Sequence, residues 1–161
     1  MNAPNPMQVT TPNDTDLLLV RAFHAPARLV YRAWVDPTLV PRWLGKLRTW
    51  QMVECQIDAR VGGAYRYVWG DAEGRTMGVN GQFVELIPNE KIVSTEQFDD
   101  PWHEGDVVGT VTFAEQDGVT TVSMLLRYDS QRVRDEIVAS NMARGIVSSY
   151  AALDEVLLDI A

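Results

Sequence analysis

The chain has 161 residues, of which 46% are hydrophobic, and a formal net charge of −8. This length is enough for one domain with a buried core. The negative charge disfavours nucleic acid as a partner, because phosphate groups would be repelled. No apolar run approaches the ~20 residues that a membrane span requires. The first residues also lack the basic start and apolar centre of a signal peptide, so the sequence predicts a cytoplasmic protein.

The first part of the chain combines a polar tail with one strand and two short helices. Residues 1–15 contain three prolines and are predicted to be flexible, followed by a single domain over residues 16–161. A strand dense in Leu and Val is predicted over residues 17–24. Pro26 suits the first turn of one short helix, and Asp36 is the predicted cap of a second.

From Trp50 onward the hydrophobic pattern has a period of two, which predicts strands. The predicted strands cover residues 50–58, 64–69, 77–87, 91–98, 107–114 and 119–128. Tight turns between them, such as the one at Asp117 and Gly118, predict an antiparallel meander. With the helices on either side in sequence, the predicted class is α+β.

The segment from Ser130 to Ala161 is predicted to be one long amphipathic helix, because its apolar residues recur at spacings of three and four. At ~1.5 Å per residue such a helix would be roughly 45 Å long. It contains small residues such as Gly145 and Ser149, which fill little space. A long helix laid across a curved sheet would therefore leave a cavity between the two.

Four motifs in this order resemble the activator of heat-shock-protein-90 ATPase homologue family. They are AFHAPARLVYRAWVDPTLVPRWLG, ECQIDARVGGAYRYVW, GQFVELIPNEKIVSTEQF and YDSQRVRDEIVASNMARGIVSSYAALDEVLLDIA. The resemblance covers nearly all of the chain after Asp16. It implies the helix-grip fold of the START/Bet v 1-like (SRPBCC) superfamily, in which a curved antiparallel sheet wraps around a long C-terminal helix. Many relatives place a tryptophan after the glycine of the last helix, where this chain has Ile146.

Three kinds of function are open. The first is a protein that binds a small apolar or aromatic molecule between helix and sheet, which the predicted cavity and the aromatic content favour; the resemblance adds that superfamily relatives bind lipids, hormones or polyketides. The second is a regulator of a chaperone ATPase, after which the family is named and which suggests a role in the stress response. The third is an enzyme of the cyclase, dehydratase or hydrolase type. A monomer and a homodimer both stay open.

Aromatic side chains are the best candidates for lining a ligand pocket, since each ring buries ~150–250 Å² and Tyr or Trp can add a hydrogen bond. Plain core packing is the alternative for each of them. Tyr65, Tyr67 and Trp69 share one face of a strand, opposite Arg66. The full predicted lining is Trp34, Trp43, Trp50, Tyr65, Tyr67, Trp69, Phe83, Met142, Gly145 and Ser149.

Carboxylates within the predicted strands are candidate polar groups of the pocket. Glu54, Glu85 and Glu96 fall within strands, and any that points inward would have a raised pKa. Glu54 and Glu85 are the two proposed for the pocket; outward-facing charges are the alternative. No residue is predicted to be catalytic, because Cys55 has no nearby cation to lower its pKa. No Cys/His cluster has metal-ligand spacing, and no cofactor is predicted.

Basic residues concentrate in the first third of the chain. Residues 16–66 contain eight basic and four acidic side chains, a charge of +4, whereas the remainder carries −12. A solvated surface with scattered arginines explains this distribution. The alternative is a basic patch for an acidic partner, and Arg42, Lys46 and Arg48 are the predicted contacts with a chaperone.

Overall fold

The computed structural model describes residues 6–47, 49–101, 105–140 and 142–161. Its strands are β1 (Gln8–Thr10), β2 (Asp16–Phe23), β3 (Lys46–Leu47), β4 (Trp50–Ile57), β5 (Ala64–Gly70), β6 (Thr76–Ile87), β7 (Lys91–Phe98), β8 (Val107–Gln116) and β9 (Val119–Arg127). Its helices are α1 (Ala27–Val35), α2 (Val40–Trp43), α3 (Gln131–Ala139) and α4 (Met142–Ile160).

The described strands form one curved antiparallel sheet of nine strands in the order β1-β2-β9-β8-β7-β6-β5-β4-β3. Strands β4 to β9 follow one another as the predicted meander, and β2 returns to pair with β9 over its whole length, from Asp16↔Arg127 to Phe23↔Thr120. Two short helices follow the first long strand. The predicted α+β class with a C-terminal helix against a curved sheet is confirmed.

One face of the sheet, called the inner face here, carries the apolar side chains and is covered by the helices. Two groups of buried side chains lie on it. The first cluster joins α1, Trp43 and α4 to Phe23, Tyr65, Trp69, Phe83 and Val122. The second cluster lies under α3 and consists of Leu17, Leu19, Val107, Leu126, Tyr128, Val133 and Ile137. Each gains its stability from apolar area removed from water.

The C-terminal segment differs from its prediction, because it forms two helices where one was expected. Ser130 caps α3 by accepting a hydrogen bond from the Val133 amide at 3.2 Å. At the other end, the Ser140 hydroxyl donates to the Ile137 carbonyl at 2.6 Å, a local bond that competes with continued helix. α3 packs on the second cluster and the 19-residue α4 mainly on the first, so α4 spans only roughly 28 Å.

The N-terminal segment also differs, since β1 lies within the tail predicted to be flexible. Its three residues are exposed and pair with β2 from Gln8↔Val20 to Thr10↔Leu18. The sequence of β1 has no alternating apolar pattern that would predict a strand. It forms one because its backbone can hydrogen-bond to the free edge of β2. Among the described helices, none combines the length and the apolar character that a membrane crossing needs.

Candidate functional site

Strand β5 presents three aromatic rings to the inner face. Tyr65 and Trp69 are buried and Tyr67 is half-buried between them, with ring centroids 5.0 Å and 6.1 Å from its neighbours. The Phe83 ring lies 5.7 Å from that of Tyr65. Arg66, on the opposite face, makes two hydrogen bonds to the Asp99 carboxylate at 2.7 and 3.0 Å. The inner face of β5 is therefore a continuous aromatic surface.

The tryptophans of the predicted lining serve mainly in packing. The Trp43 indole donates to the Ala33 carbonyl at 2.8 Å, and the Trp69 indole donates to the Leu44 carbonyl at 3.1 Å. Trp34 packs against the rings of Trp43, Phe113 and Tyr150. The indole donors of Trp43 and Trp69 are satisfied within the protein, which agrees with the core-packing alternative for these two residues.

The remaining residues of the predicted lining are Trp50 and three residues of α4. Trp50 is half-buried, and the Arg75 guanidinium lies 5.9 Å from its ring centroid. On α4, Met142 packs against the second cluster. Ser149 is buried, and its hydroxyl donates to the Gly145 carbonyl at 3.0 Å. Since residues four apart share a helix face, Gly145 lies on the side of α4 that faces the sheet.

The two carboxylates predicted for the pocket, Glu54 and Glu85, lie on the outer face. The Glu54 carboxylate is 3.8 Å from the Arg66 guanidinium, and Glu85 is 3.3 Å from the Lys91 ammonium. Both follow a β-bulge: the register shifts between Met52 and Glu54, and again between Phe83 and Glu85. A bulge inserts one residue and so reverses which face the next side chain points to. The prediction of inward carboxylates at these two positions is wrong for this reason.

Glu96, considered with them in the sequence but not predicted for the pocket, is the inward carboxyl. It alternates with Ile92 and Phe98, which pack in the first cluster, and it pairs with the buried Val107 of β8. Residues directly opposite each other in a sheet point to the same face. The pairing of β7 with β8 has no register shift. The period-two alternation that starts at the apolar Ile92 could therefore have predicted from the sequence that Glu96 points inward.

The sheet register places Glu96 at the centre of a row across the strands. Tyr65 pairs with Gly81, and Glu96 pairs with Val107. Asn80 pairs with Gln97 and Val108 pairs with Arg127, so the same antiparallel register one residue further sets Gly81 beside Glu96 and Val107 beside Tyr128. The Glu96 row is therefore Tyr65, Gly81, Glu96, Val107 and Tyr128.

Gly81 lets the Tyr65 ring approach this row closely. A Cβ atom at position 81 would lie 1.9 Å from the Thr95 carbonyl oxygen and 2.5 Å from the Tyr65 ring. The Tyr65 hydroxyl crosses this space and donates to the Thr95 carbonyl at 2.7 Å. The ring thus covers the backbone next to Glu96.

Burial changes the proton affinities in this region. Glu96 keeps part of its surface accessible, yet the protein atoms around it raise its pKa from 4.5 to about 7. Burial, and then the negative charge of Glu96, raise the pKa of the Tyr65 hydroxyl. Burial raises that of Tyr67 and of Tyr128, with Glu96 again contributing. Glu96 makes no hydrogen bond or ion pair to another residue within the described part of the chain.

Two further groups on the inner side were not predicted from the sequence. The Tyr150 hydroxyl is buried and has no hydrogen-bond partner among the residues that the structure describes. Arg21 of β2 is buried and makes hydrogen bonds of 2.8 and 2.5 Å to the two carboxylate oxygens of Asp154 on α4. Arg21 lies within the mainly apolar segment Leu17–Phe23. Because arginine is rarely buried without a partner, this position could have predicted a buried ion pair from the sequence.

Neither a thiol with a lowered pKa nor a cluster of metal-ligating side chains is found among the residues that the structure describes. Cys55 points to the inner face beside Tyr67, and burial raises the pKa of its thiol to about 11, which keeps it protonated. In the described ranges, no group of three or more His, Cys, Asp and Glu side chains is placed to hold a metal ion.

The predicted basic patch is partly neutralised. Arg42 of α2 forms an ion pair with Asp159 of α4, and Lys46 is exposed on β3. Arg48 lies outside the described residues. Arg42 therefore also joins α2 to the C-terminal helix.

A curved antiparallel sheet closed by a C-terminal helix, with two short helices after the first long strand, defines the helix-grip class of the SRPBCC superfamily. The family model described as "Activator of Hsp90 ATPase homolog 1-like protein" matches residues 24–158. The chain belongs to this family.

Similar proteins extend over most of the chain. A crystal structure of a Rhodobacter sphaeroides protein is 30% identical, with a TM-score of 0.90 over 96% of this chain and 99% of that one. A Chromobacterium violaceum protein is 29% identical, with a TM-score of 0.77 over 90% and 98%. An HSP90 activator from Plasmodium falciparum shares the fold at 18% identity, with a TM-score of 0.54 over 70% and 72%.

One curated relative is much longer than this chain. An uncharacterized protein of Schizosaccharomyces pombe is 29% identical over 116 residues, which are 71% of this chain. The match spans 30% of that protein's length.

Proposed function

We propose that this protein binds a small apolar or aromatic molecule between α4 and the inner face of the sheet. The observation that carries the proposal is the pair of inward polar groups, the Glu96 carboxyl and the Tyr150 hydroxyl, which lack protein partners among the described residues. Burying such groups in a core made for packing alone costs free energy, whereas a bound molecule that carries a hydrogen-bonding group on its apolar or aromatic body could satisfy them.

The apolar surroundings support the same site. Met124 of β9 and Ile146 of α4 contact both clusters and yet keep part of their surface exposed. Tyr67 is similarly half-buried on β5. Apolar side chains left incompletely covered where the two clusters meet are what a ligand would cover, and we expect a cavity of roughly 300–1,000 Å³ there.

The test compares two tryptophan substitutions at neighbouring positions on α4. Ile146→Trp fills the proposed cavity, whereas Val147→Trp adds the same ring on the exposed side, where Val147 is 50% exposed. Neutral aromatic and apolar compounds should raise the melting temperature of the parent and of Val147→Trp but not of Ile146→Trp, and native mass spectrometry should show the complex. Equal binding by both variants, or no binding to the parent, would contradict the proposal. Thermal melting without ligand shows whether each variant is folded.

A second function is favoured by family membership and by the shared fold of the Plasmodium falciparum HSP90 activator. We propose as the alternative that the chain stimulates the ATPase of an Hsp90-type chaperone through Arg42, Lys46 and Arg48. Such contacts weaken with salt, because the Debye length falls to ~8 Å at physiological ionic strength.

The chaperone test needs a control for the ion pair of Arg42. Reversing Arg42, Lys46 and Arg48 to Glu should abolish ATPase stimulation at low salt. Asp159→Asn breaks the Arg42–Asp159 pair without reversing the basic charges, and it should keep stimulation. Absence of stimulation by the parent, or its survival after charge reversal, would exclude this function.

A further inference from the structure

The Glu96 row combines an unpaired carboxyl with aromatic rings. The Tyr65 ring leans over Gly81 toward β7, where its hydroxyl bonds to the Thr95 carbonyl next to Glu96. The Tyr67 ring follows at 5.0 Å and is itself half-buried. Strands in a sheet are ≈ 4.8 Å apart, so Glu96 lies two strand spacings from the backbone of β5 and within reach of these rings.

The cations close to this region already have partners. Arg21, which shares the inner face, is held by Asp154. Arg66 extends from the opposite face to Asp99. The part of the chain that the structure describes therefore leaves the Glu96 carboxyl without a positive charge beside it.

A carboxylate near aromatic rings matches one chemical class of ligand group. Ring faces carry negative electrostatic potential and attract ammonium groups that lie within ≈ 6 Å of the ring centroid. A carboxylate adds a charge-assisted hydrogen bond to an N–H donor. A molecule without an N–H or O–H donor would leave the Glu96 carboxylate unsatisfied, whereas an anion would be repelled by it.

We propose that Glu96, Tyr65 and Tyr67 form a subsite for an organic cation, an ammonium group attached to an apolar or aromatic body. This inference rests on the ligand-binding function proposed above and specifies its ligand class. The body would occupy the apolar surface between the clusters, and the ammonium group would lie between the Glu96 carboxylate and the tyrosine faces.

The titration of Glu96 makes the subsite sensitive to pH. The groups that face it or lie on the elements packed around it are Tyr65 and Tyr67 of β5, Cys55 of β4, Tyr128 after β9, the Arg21–Asp154 pair and Tyr150 of α4. Burial raises the pKa of the Cys55 thiol to about 11 and those of the tyrosines above their ordinary value, so these groups stay neutral at neutral pH. Glu96, with a pKa of about 7, is the one expected to change charge there.

The experiment uses two probes of nearly equal shape, 2-phenylethylamine, which is a cation at neutral pH, and 2-phenylethanol, which is neutral. Isothermal titration at about pH 8, where Glu96 is ionised, should show the amine binding about tenfold more tightly than the alcohol. At about pH 5.5 this preference should disappear, because Glu96 is then protonated.

Variants separate the charge from the rings. Glu96→Gln should lose the preference for the amine, whereas Glu85→Gln, on the outer face beside Lys91, should keep it. Tyr67→Leu should weaken amine binding several-fold, while Tyr67→Phe retains the ring and should bind as the parent does. Melting curves and the affinity for the alcohol show whether each variant is folded and keeps its apolar site.

The outcomes distinguish this subsite from the general function. Equal affinities for the two probes, or an amine preference that survives Glu96→Gln, would overturn the cation subsite while leaving the ligand-binding function in place. Failure of both probes to bind the parent would count against the subsite, and the tryptophan comparison on α4 would then decide the general function separately.

Discussion

At the residue scale, Glu96 couples the inner face to pH. Its pKa is raised from 4.5 to about 7, so the folded state binds this proton more tightly than the unfolded state does. The resulting stabilisation is complete below about pH 4.5 and is lost as the pH rises through about 7. A difference of this size corresponds to about 3 kcal/mol at most.

Urea unfolding of the parent and of Glu96→Gln across this pH range measures the effect. We expect the unfolding free energy of the parent to fall relative to that of Glu96→Gln between about pH 4.5 and pH 8. Glu85→Gln serves as the control and should follow the parent, because Glu85 lies on the outer face. Parallel pH profiles for the parent and Glu96→Gln would show that Glu96 is not desolvated as described.

Two ion pairs on α4 differ in the burial of their arginine. The Arg21 side chain is 8% exposed and that of its partner Asp154 is 41% exposed, whereas in the Arg42–Asp159 pair both are widely exposed. Asp154→Asn leaves a buried guanidinium without its charge partner and should cost about 1–3 kcal/mol, discounted for the partial exposure of Asp154. Asp159→Asn should cost about 0–1 kcal/mol. Chemical denaturation of both variants checks the prediction, which equal losses would refute.

At the scale of the elements, α4 carries small residues where it faces the sheet. Gly145 is partly exposed and precedes the buried Ser149 and Leu153 at intervals of four residues. Glycine within a helix costs about 1 kcal/mol relative to alanine. We expect this cost to have a reason, which is either a cavity next to Gly145 or a close contact between its backbone and the sheet.

Gly145→Leu separates these two reasons. If Gly145 faces a cavity, the variant should be as stable as the parent or more stable, because helix propensity improves and the leucine fills space, while ligand binding falls. Ser148→Leu, at an exposed position of the same helix, is the control and should leave binding unchanged. Thermal melting and ligand titration are the measurements. A loss of ~1–3 kcal/mol in Gly145→Leu would mean overpacking and would exclude the pocket assignment of this residue.

At the scale of the whole molecule, the pairing of β2 with β9 joins residues that are 97 to 111 positions apart in the chain. Asp16 lies at this junction, where it accepts hydrogen bonds from Arg127, and its backbone carbonyl accepts one from Arg134 of α3 at 3.0 Å. Arg127 lowers the pKa of the Asp16 carboxyl. Asp16 therefore links β2, near the start of the chain, to both β9 and α3, which come late in the chain.

Native-state hydrogen exchange should reveal this arrangement. Amides of β9 lie between β2 and β8 and beneath buried side chains, so we expect them to exchange only through global unfolding. The residues of β1 are exposed and pair on one side only, so their amides should exchange orders of magnitude faster. β8, with neighbours on both sides, is the internal reference. Protection of β1 equal to that of β9 would contradict this order of stability.

The sequence by itself determined the type and order of the elements from α1 to β9 except the two-residue strand β3, because hydrophobic periodicity is a local property of the chain. It also determined that Tyr65, Tyr67 and Trp69 share one face, since Arg66 and Val68 alternate with them in a strand without a register shift against β6. Four motifs were enough to identify the family. These conclusions needed no knowledge of which segments meet.

Only the tertiary structure decided which carboxyl points inward and where the last helix begins. Bulges at Val53 and Val84, which are 66% and 54% exposed, turn Glu54 and Glu85 outward, whereas Glu96 keeps the alternation of its strand. A bulge arises from pairing with a neighbouring strand, so a pattern within one strand does not reveal it. The division between α3 and α4 likewise agrees with two clusters on the sheet, because α3 buries its apolar face against the second cluster and α4 mainly against the first.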